Sequence, residues 1–208
     1  MRLERSFACA LASESLLVEA AVRAPAALTR LERAQADALA GTPRLEEWLR
    51  GRAALKRALC RAELDDDTAH LPLPSPRASL SHAGKVAVAC VRLDEDLRVA
   101  GVGIDLERDR PVSDAHTRFF LTPSERAAAR VEDRLRLWTV KEALFKADPD
   151  NAGTVVGDYE VLEPRALEGE ARSRAGRRLR YRCLRVGGGW LTLALSWRDE
   201  RGHQETSP

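Results

Sequence analysis

The hydrophobic period of the chain changes several times, and each change marks an element. Residues 16–22 form a short aliphatic run and predict a strand. Leu45, Trp48, Leu49, Leu55 and Leu59 then recur at helical spacing and predict a helix over residues 44–63. Asp65, Asp66 and Asp67 end it, and Leu71-Pro-Leu-Pro-Ser-Pro76 reads as an extended loop. Residues 79–84 form a Ser-His turn that leads into a Val- and Ala-rich strand over 85–93. A strand over 99–107 opens the second half. Thr122-Pro-Ser-Glu125 carries the signature of a helix start, with threonine as cap, proline in the first turn and glutamate three residues on. The helical region runs, with a break, to Ala147, where residues 148–153 stop it. Three more strands are predicted over 158–162, 178–185 and 190–197, the last two joined by a hairpin turn at Gly187-Gly-Gly189.

Each half thus holds one principal helix and a few strands in similar order. The expected fold class is α+β: a pseudo-two-fold duplication of two similar subdomains, each a small, mostly antiparallel sheet packed with a principal helix. The halves are placed at residues 1–97 and 98–200, followed by a frayed polar tail at 201–208. Residues 1–13 resemble a leader peptide only superficially. Their apolar run is short and acidic residues flank it, so they read as an edge strand.

Composition narrows the class. The chain has 208 residues, 44% hydrophobic and 32% charged, which fits a globular protein. No apolar run approaches the roughly 20 residues of a membrane span. A net charge of +2 with 5% aromatics gives no basis for nucleic-acid binding. Cys9, Cys60, Cys90 and Cys183 are scattered without zinc-ligand spacing and read as reduced, buried thiols in a cytoplasmic protein. Of 34 basic residues only Lys56, Lys85, Lys141 and Lys146 are lysine, and two of these lie five residues apart.

Three segments carry candidate chemistry. In Val102-Gly-Ile-Asp-Leu-Glu107, period two puts Asp105 and Glu107 on one face, about 7 Å apart, where they can share a cation or form a solvated acidic face. In Trp138-Thr-Val-Lys-Glu-Ala-Leu-Phe-Lys-Ala147, residues Trp138, Glu142, Phe145 and Lys146 share a stripe, while Leu137, Val140, Leu144 and Ala147 suit a core. Glu142 and Lys146 can be a simple i,i+4 pair. Alternatively Glu142 serves a metal or a proton transfer, and Lys141 and Lys146 carry positive charge to a phosphate. Ser79-Leu-Ser-His82 is either a structural turn or a phosphate contact. Arg50, Arg52, Lys56 and Arg57 form a basic helix surface that is either solvated or a phosphate site.

In this order the segments resemble the 4'-phosphopantetheinyl transferase superfamily, specifically its larger Sfp-type members. The resemblance rests on Gly103-Ile-Asp-Leu-Glu107, Trp138-Thr-Val-Lys-Glu-Ala-Leu-Phe-Lys146, Ser79-Leu-Ser-His82 and Arg118-Phe-Phe-Leu-Thr-Pro-Ser-Glu125. It implies a pseudo-dimer of two α+β halves, with coenzyme A on the N-terminal side and the metal and catalytic motifs in the C-terminal half. The implied magnesium ligands are Asp105, Glu107 and Glu142, with Glu142, Lys146 and Asp105 catalytic. Arg44, Arg52, Ser81, His82, Lys141 and Lys146 would hold coenzyme A. The implied reaction moves the phosphopantetheine arm of coenzyme A to a serine of an apo acyl or peptidyl carrier protein, releasing adenosine 3',5'-bisphosphate. A monomer suffices for such a duplicated chain. The family's Gly-Lys-Pro-like segment has no counterpart in residues 67–76. A magnesium-dependent nucleotide or pyrophosphate hydrolase, and a non-catalytic coenzyme A or carrier-binding module, are the alternatives.

Overall fold

The computed structural model describes residues 7–11, 14–94 and 96–198; the expected tail at 201–208 lies outside them. The chain runs β1 (Phe7–Leu11), β2 (Glu14–Ala21), α1 (Arg30–Asp37), α2 (Arg44–Arg61), β3 (Ala78–Ala83), β4 (Val86–Arg92) and β5 (Val99–Arg108). It continues with α3 (Asp114–Thr117), α4 (Pro123–Ala128), α5 (Arg134–Ala147), β6 (Tyr159–Val161), β7 (Glu168–Ser173), β8 (Arg178–Val186) and β9 (Gly189–Trp197).

Two antiparallel sheets form, in the orders β1-β2-β4-β3 and β5-β9-β8-β7-β6. The duplication is visible in the pairing. In the first half β2 pairs with β4 and β4 with β3. In the second, β5 pairs with β9 and β9 with β8. In both, the opening strand is followed by the principal helix (α2 or α5), and the closing strand returns beside the opening one. The fold is α+β, as the repeated order of elements predicts.

Side-chain size on alternate strand positions sets the layers. In β4, Val86, Val88 and Cys90 join Val102, Ile104 and Leu106 of β5 and Leu191, Leu193 and Leu195 of β9 in one core shared by the two sheets. The intervening Ala87, Ala89 and Val91 face the other way and pack under Ala54, Leu55 and Ala58 of α2. On the outer face of the second sheet, Ala194, Leu179 and Tyr181 meet Leu137, Val140, Ala143 and Leu144 of α5. Large aliphatics therefore fill the space between sheets, and small residues dominate where a helix lies on a strand.

The smallest such residues are in β5. A Cβ added at Gly103 would stand 1.9 Å from the carbonyl oxygen of Ala143, and one at Gly101 would stand 2.1 Å from that of Ala147. These obstacles are helix backbone, so α5 lies directly on the β5 backbone. Gly103→Ala must push helix and strand apart; we expect a loss of about 2–3 kcal/mol or more in urea denaturation.

The structure departs from sequence expectation in several places. Residues 78–83 are a strand, not a turn. The break expected in the helical region over 122–147 does occur: α4 ends at Ala128 and a short 3-10 turn precedes α5. Cys90 and Cys183 are buried but Cys60 is exposed. The apolar periodicity does not mark α1, whose first turn is built by polar groups instead. Thr29 and Glu32 form a reciprocal capping box, and the Glu32 carboxylate also accepts from the Thr68 hydroxyl at 2.6 Å, the Thr68 amide at 3.0 Å and Lys56 Nζ at 3.1 Å.

Burial alone would raise the Glu32 pKa. The hydrogen bonds from Thr68, Thr29 and Lys56 outweigh it and hold the carboxyl at about 2, below its ordinary 4.5. A depressed folded-state pKa contributes stability that is complete above the unfolded value and lost as the carboxylate protonates. Stability should therefore fall as pH drops from about 4.5 towards 2, and Glu32→Gln should flatten that dependence in denaturant titrations across this window.

Candidate active site at the seam between the halves

The outer face of β5 continues past Gly101 and Gly103 to Asp105 and Glu107, as period two requires. Because α5 runs along this face, its polar stripe meets the two acids. Trp138 Nε1 donates to Glu107 Oε1 at 2.7 Å. Lys146 Nζ donates to Asp105 Oδ1 at 2.7 Å and to the carbonyl of Ile104 at 3.3 Å. Lys146 thus reaches across to the strand in preference to an i,i+4 pair with Glu142. Glu107 Oε2 meets Arg110 Nε at 3.4 Å.

The third wall comes from the N-terminal half. β3 runs beside β5 and answers its edge amides with hydroxyls. Ser79 Oγ accepts from Ile104 N at 3.1 Å, and Ser81 Oγ from Leu106 N at 3.3 Å. Ser81 also donates to Asp105 Oδ1 at 2.8 Å. His82, on the opposite face of β3, turns towards α2. Its Nδ1 lies 3.7 Å from Glu47 Oε1, and its Nε2 is buried beside Gly51 with no hydrogen-bond partner. A Cβ at Gly51 would meet that nitrogen at 2.7 Å, so the glycine makes room for the ring. Burial lowers the His82 pKa, while Glu47 opposes the shift, so the ring favours its neutral form.

Asp105, Glu107 and Glu142 lie within electrostatic reach of one another. Burial raises the Glu142 pKa; Lys146 opposes this, and the charges of Asp105 and Glu107 add to the rise. A cation would relieve this arrangement. Asp105 Oδ2 is buried without a partner, a vacant carboxylate oxygen of the kind a divalent ion takes. Among the described residues no set of three or more ligating side chains is already gathered at coordination distance. The acids fit a magnesium ion that keeps water or substrate oxygens in its shell, with Asp105 and Glu142 offering the available oxygens.

Lys141 is not part of this cluster. It has no exposed surface, and it donates to Glu125 Oε1 at 2.6 Å, to Glu125 Oε2 at 2.8 Å and to the carbonyl of Tyr159. Its ammonium is sealed from solvent, so no phosphate reaches it. The same Glu125 completes the capping box of α4 through Thr122 N at 2.7 Å and accepts from Val161 N at 2.6 Å. The pair joins α4, α5 and β6. Desolvation pulls the Lys141 pKa down, against the opposing pull of Glu125. Helical geometry contains the signal for this placement: Lys141 falls on the stripe of Leu137 and Leu144, about 140° from Lys146 at 100° per residue.

Two arginines expected at the nucleotide end are also not gathered with the acids. Arg44 is exposed at the first turn of α2. Arg52 stacks over Trp48 at 4.9 Å and donates to the carbonyl of Thr68 at 3.0 Å.

An acidic strand and a Lys-Glu helix thus face each other beside a Ser-His strand, between two antiparallel sheets. The family model of the 4'-phosphopantetheinyl transferase superfamily matches residues 101–190, from the acidic strand to the start of β9. Over that stretch the chain is similar to the superfamily, whose common activity is phosphopantetheinyl transfer. No curated protein matches the chain. Among the described residues no helix is long and apolar enough to cross a membrane.

The buried pair yields a sharp test. Lys141→Met strands the Glu125 carboxylate and should cost about 3–5 kcal/mol in denaturation, whereas Lys141→Met combined with Glu125→Gln should recover part of the loss.

Proposed function

We propose that this chain is an Sfp-type, magnesium-dependent phosphopantetheinyl transferase that uses coenzyme A to modify a serine of an apo acyl or peptidyl carrier protein. The observation that carries this reading is the partnerless, buried Oδ2 of Asp105, set among Glu107, Glu142 and Lys146 within the segment the family model matches.

Asp105, Glu107 and Glu142 would hold the magnesium. When bound, such an ion would supply positive charge for the pyrophosphate oxygens. Glu142 would also serve as the base that takes the proton of the carrier serine. The serine oxygen forms a bond to the β-phosphorus of coenzyme A. The bond from that phosphorus to the bridging oxygen breaks, and adenosine 3',5'-bisphosphate leaves with the electron pair. Lys146, 27% exposed at its side chain, presents its ammonium to the departing phosphate. His82, which the resemblance assigns to coenzyme A, has its Nε2 buried against Gly51 of α2 and would reach a phosphate only if the ring turned away from the helix. Lys141 supports the helix rather than the substrate. Arg52 and Arg44 line the nucleotide side from α2. The protein works as a cytoplasmic monomer, with the N-terminal half, residues 1–97, gripping coenzyme A and the C-terminal half, residues 98–200, carrying the chemistry.

Mixing the protein with coenzyme A, magnesium and several apo carriers, then weighing the carriers by mass spectrometry, tests this directly. A phosphopantetheine gain on a carrier serine is expected; no gain on any carrier rejects the transferase reading. Nucleotide release without a carrier would indicate a hydrolase. Asp105→Ala and Glu142→Ala should each abolish transfer while circular dichroism stays that of the wild type, and full activity in either would reject the assigned metal site.

A further inference from the structure

Ser81 belongs to the N-terminal half, yet its hydroxyl is committed to the C-terminal one. The side chain is buried in β3, with 4% of the residue exposed. A serine hydroxyl has one proton to donate and two lone pairs. The proton goes to Asp105 Oδ1 at 2.8 Å, and the lone pairs accept from Leu106 N at 3.3 Å and Lys146 Nζ at 3.2 Å. That exhausts the hydroxyl and leaves nothing for a ligand phosphate.

The effect on Asp105 is unequal. Oδ1 receives both Ser81 Oγ and Lys146 Nζ, at 2.8 and 2.7 Å. Oδ2 is equally buried and receives no hydrogen bond. Two donors at one oxygen position fix the plane of the carboxylate and leave the other position open. Ser79 repeats the same attachment two residues earlier, accepting from Ile104 N at 3.1 Å, but no acidic side chain stands opposite it. The two serines therefore share a stapling role, and Ser81 alone adds a grip on a carboxylate.

We infer that Ser81 is a positioning residue: across the seam it holds Asp105 Oδ1 and Lys146 so that Asp105 Oδ2 is the oxygen presented to the cation. The inference rests on the metal reading above and replaces the phosphate-contact role that the family resemblance implies for Ser81. Groups that orient a ligating carboxylate this way typically change metal affinity about 10–100-fold when removed.

The test uses Ser81→Ala, the hydroxyl-preserving Ser81→Thr and the matched control Ser79→Ala. Mn2+ retention is followed by electron paramagnetic resonance at a fixed coenzyme A concentration, and the magnesium dependence and coenzyme A KM of transfer are measured alongside. Ser81→Ala should weaken Mn2+ binding and raise the half-saturating magnesium by about tenfold or more, with the coenzyme A KM unchanged. Ser81→Thr should restore most of the affinity. Ser79→Ala should lose comparable stability and leave Mn2+ binding at the wild-type level. Should Ser81→Ala not fold, Ser81→Cys supplies a near-isosteric, weakly bonding substitute with the same expected outcome. Unchanged Mn2+ binding with a raised coenzyme A KM would overturn the inference and return Ser81 to the phosphate. A wild type that retains no Mn2+ beyond coenzyme A alone would overturn the metal reading and this inference with it.

Discussion

Direct contact between the backbones of α5 and β5 is the constraint on which the site depends. Gly101 and Gly103 place strand atoms against the carbonyls of Ala147 and Ala143, where any side chain would collide with main chain. The helix is thereby held at a fixed depth and register along the strand. Ser196 Oγ adds a hydrogen bond to the Ala147 carbonyl at 2.5 Å, which ties the same turn of the helix to β9. Two residues beyond the glycines the strand face changes from empty space to carboxylates. The depth set by Gly101 and Gly103 is what lets Lys146 and Trp138 reach Asp105 and Glu107 within hydrogen-bond distance.

That geometry divides two lysines of one motif into opposite roles. Lys146 keeps part of its surface open and stands on Asp105. Lys141 is sealed under Glu125 and contributes to the join between α4, α5 and β6. Such a fully buried pair adds little net stability over an apolar replacement, but losing either partner is expensive, so it enforces one arrangement of the three elements. Glu142, between the two lysines in sequence, forms no hydrogen bond or ion pair among the described residues and carries a raised pKa. Its half-buried carboxylate thus stands beside the charges of Asp105 and Glu107 and adds no bond to the join of the three elements.

The periodic elements were legible in the sequence. Strands β2, β4, β5, β8 and β9 and helices α2 and α5 follow from apolar spacing, and so does the α4 cap at Thr122. The elements missed are those whose polar residues point inward. β3 reads as a turn because Ser79, Ser81 and His82 resemble loop residues, yet the serines face the seam, where the β5 amides need acceptors. Helix α1 is eight mostly polar residues held by the Thr29 cap and the Glu32 cluster. β7 has one fully apolar inward position, Ala171, and exists because β6 and β8 flank it. In the site, the strand acids and Lys146 were readable from period and motif, whereas the fate of Lys141 depended on a partner sixteen residues away.

The seam itself explains why the two halves act as one unit. Along most of their contact the sheets meet through aliphatic side chains, which hold the halves together without fixing their register. Beside β5 the contact changes character. Val102 N donates to the Ser75 carbonyl at 2.9 Å, and Ile104 and Leu106 donate to the Ser79 and Ser81 hydroxyls. Successive amides along one strand edge are thus answered by successive residues of the other half, a directional match that a shift of one residue would break. The apolar core supplies adhesion and the serine ladder supplies register. Since the last rung also holds Asp105, the alignment of the halves and the orientation of the carboxylate are set by the same hydroxyl.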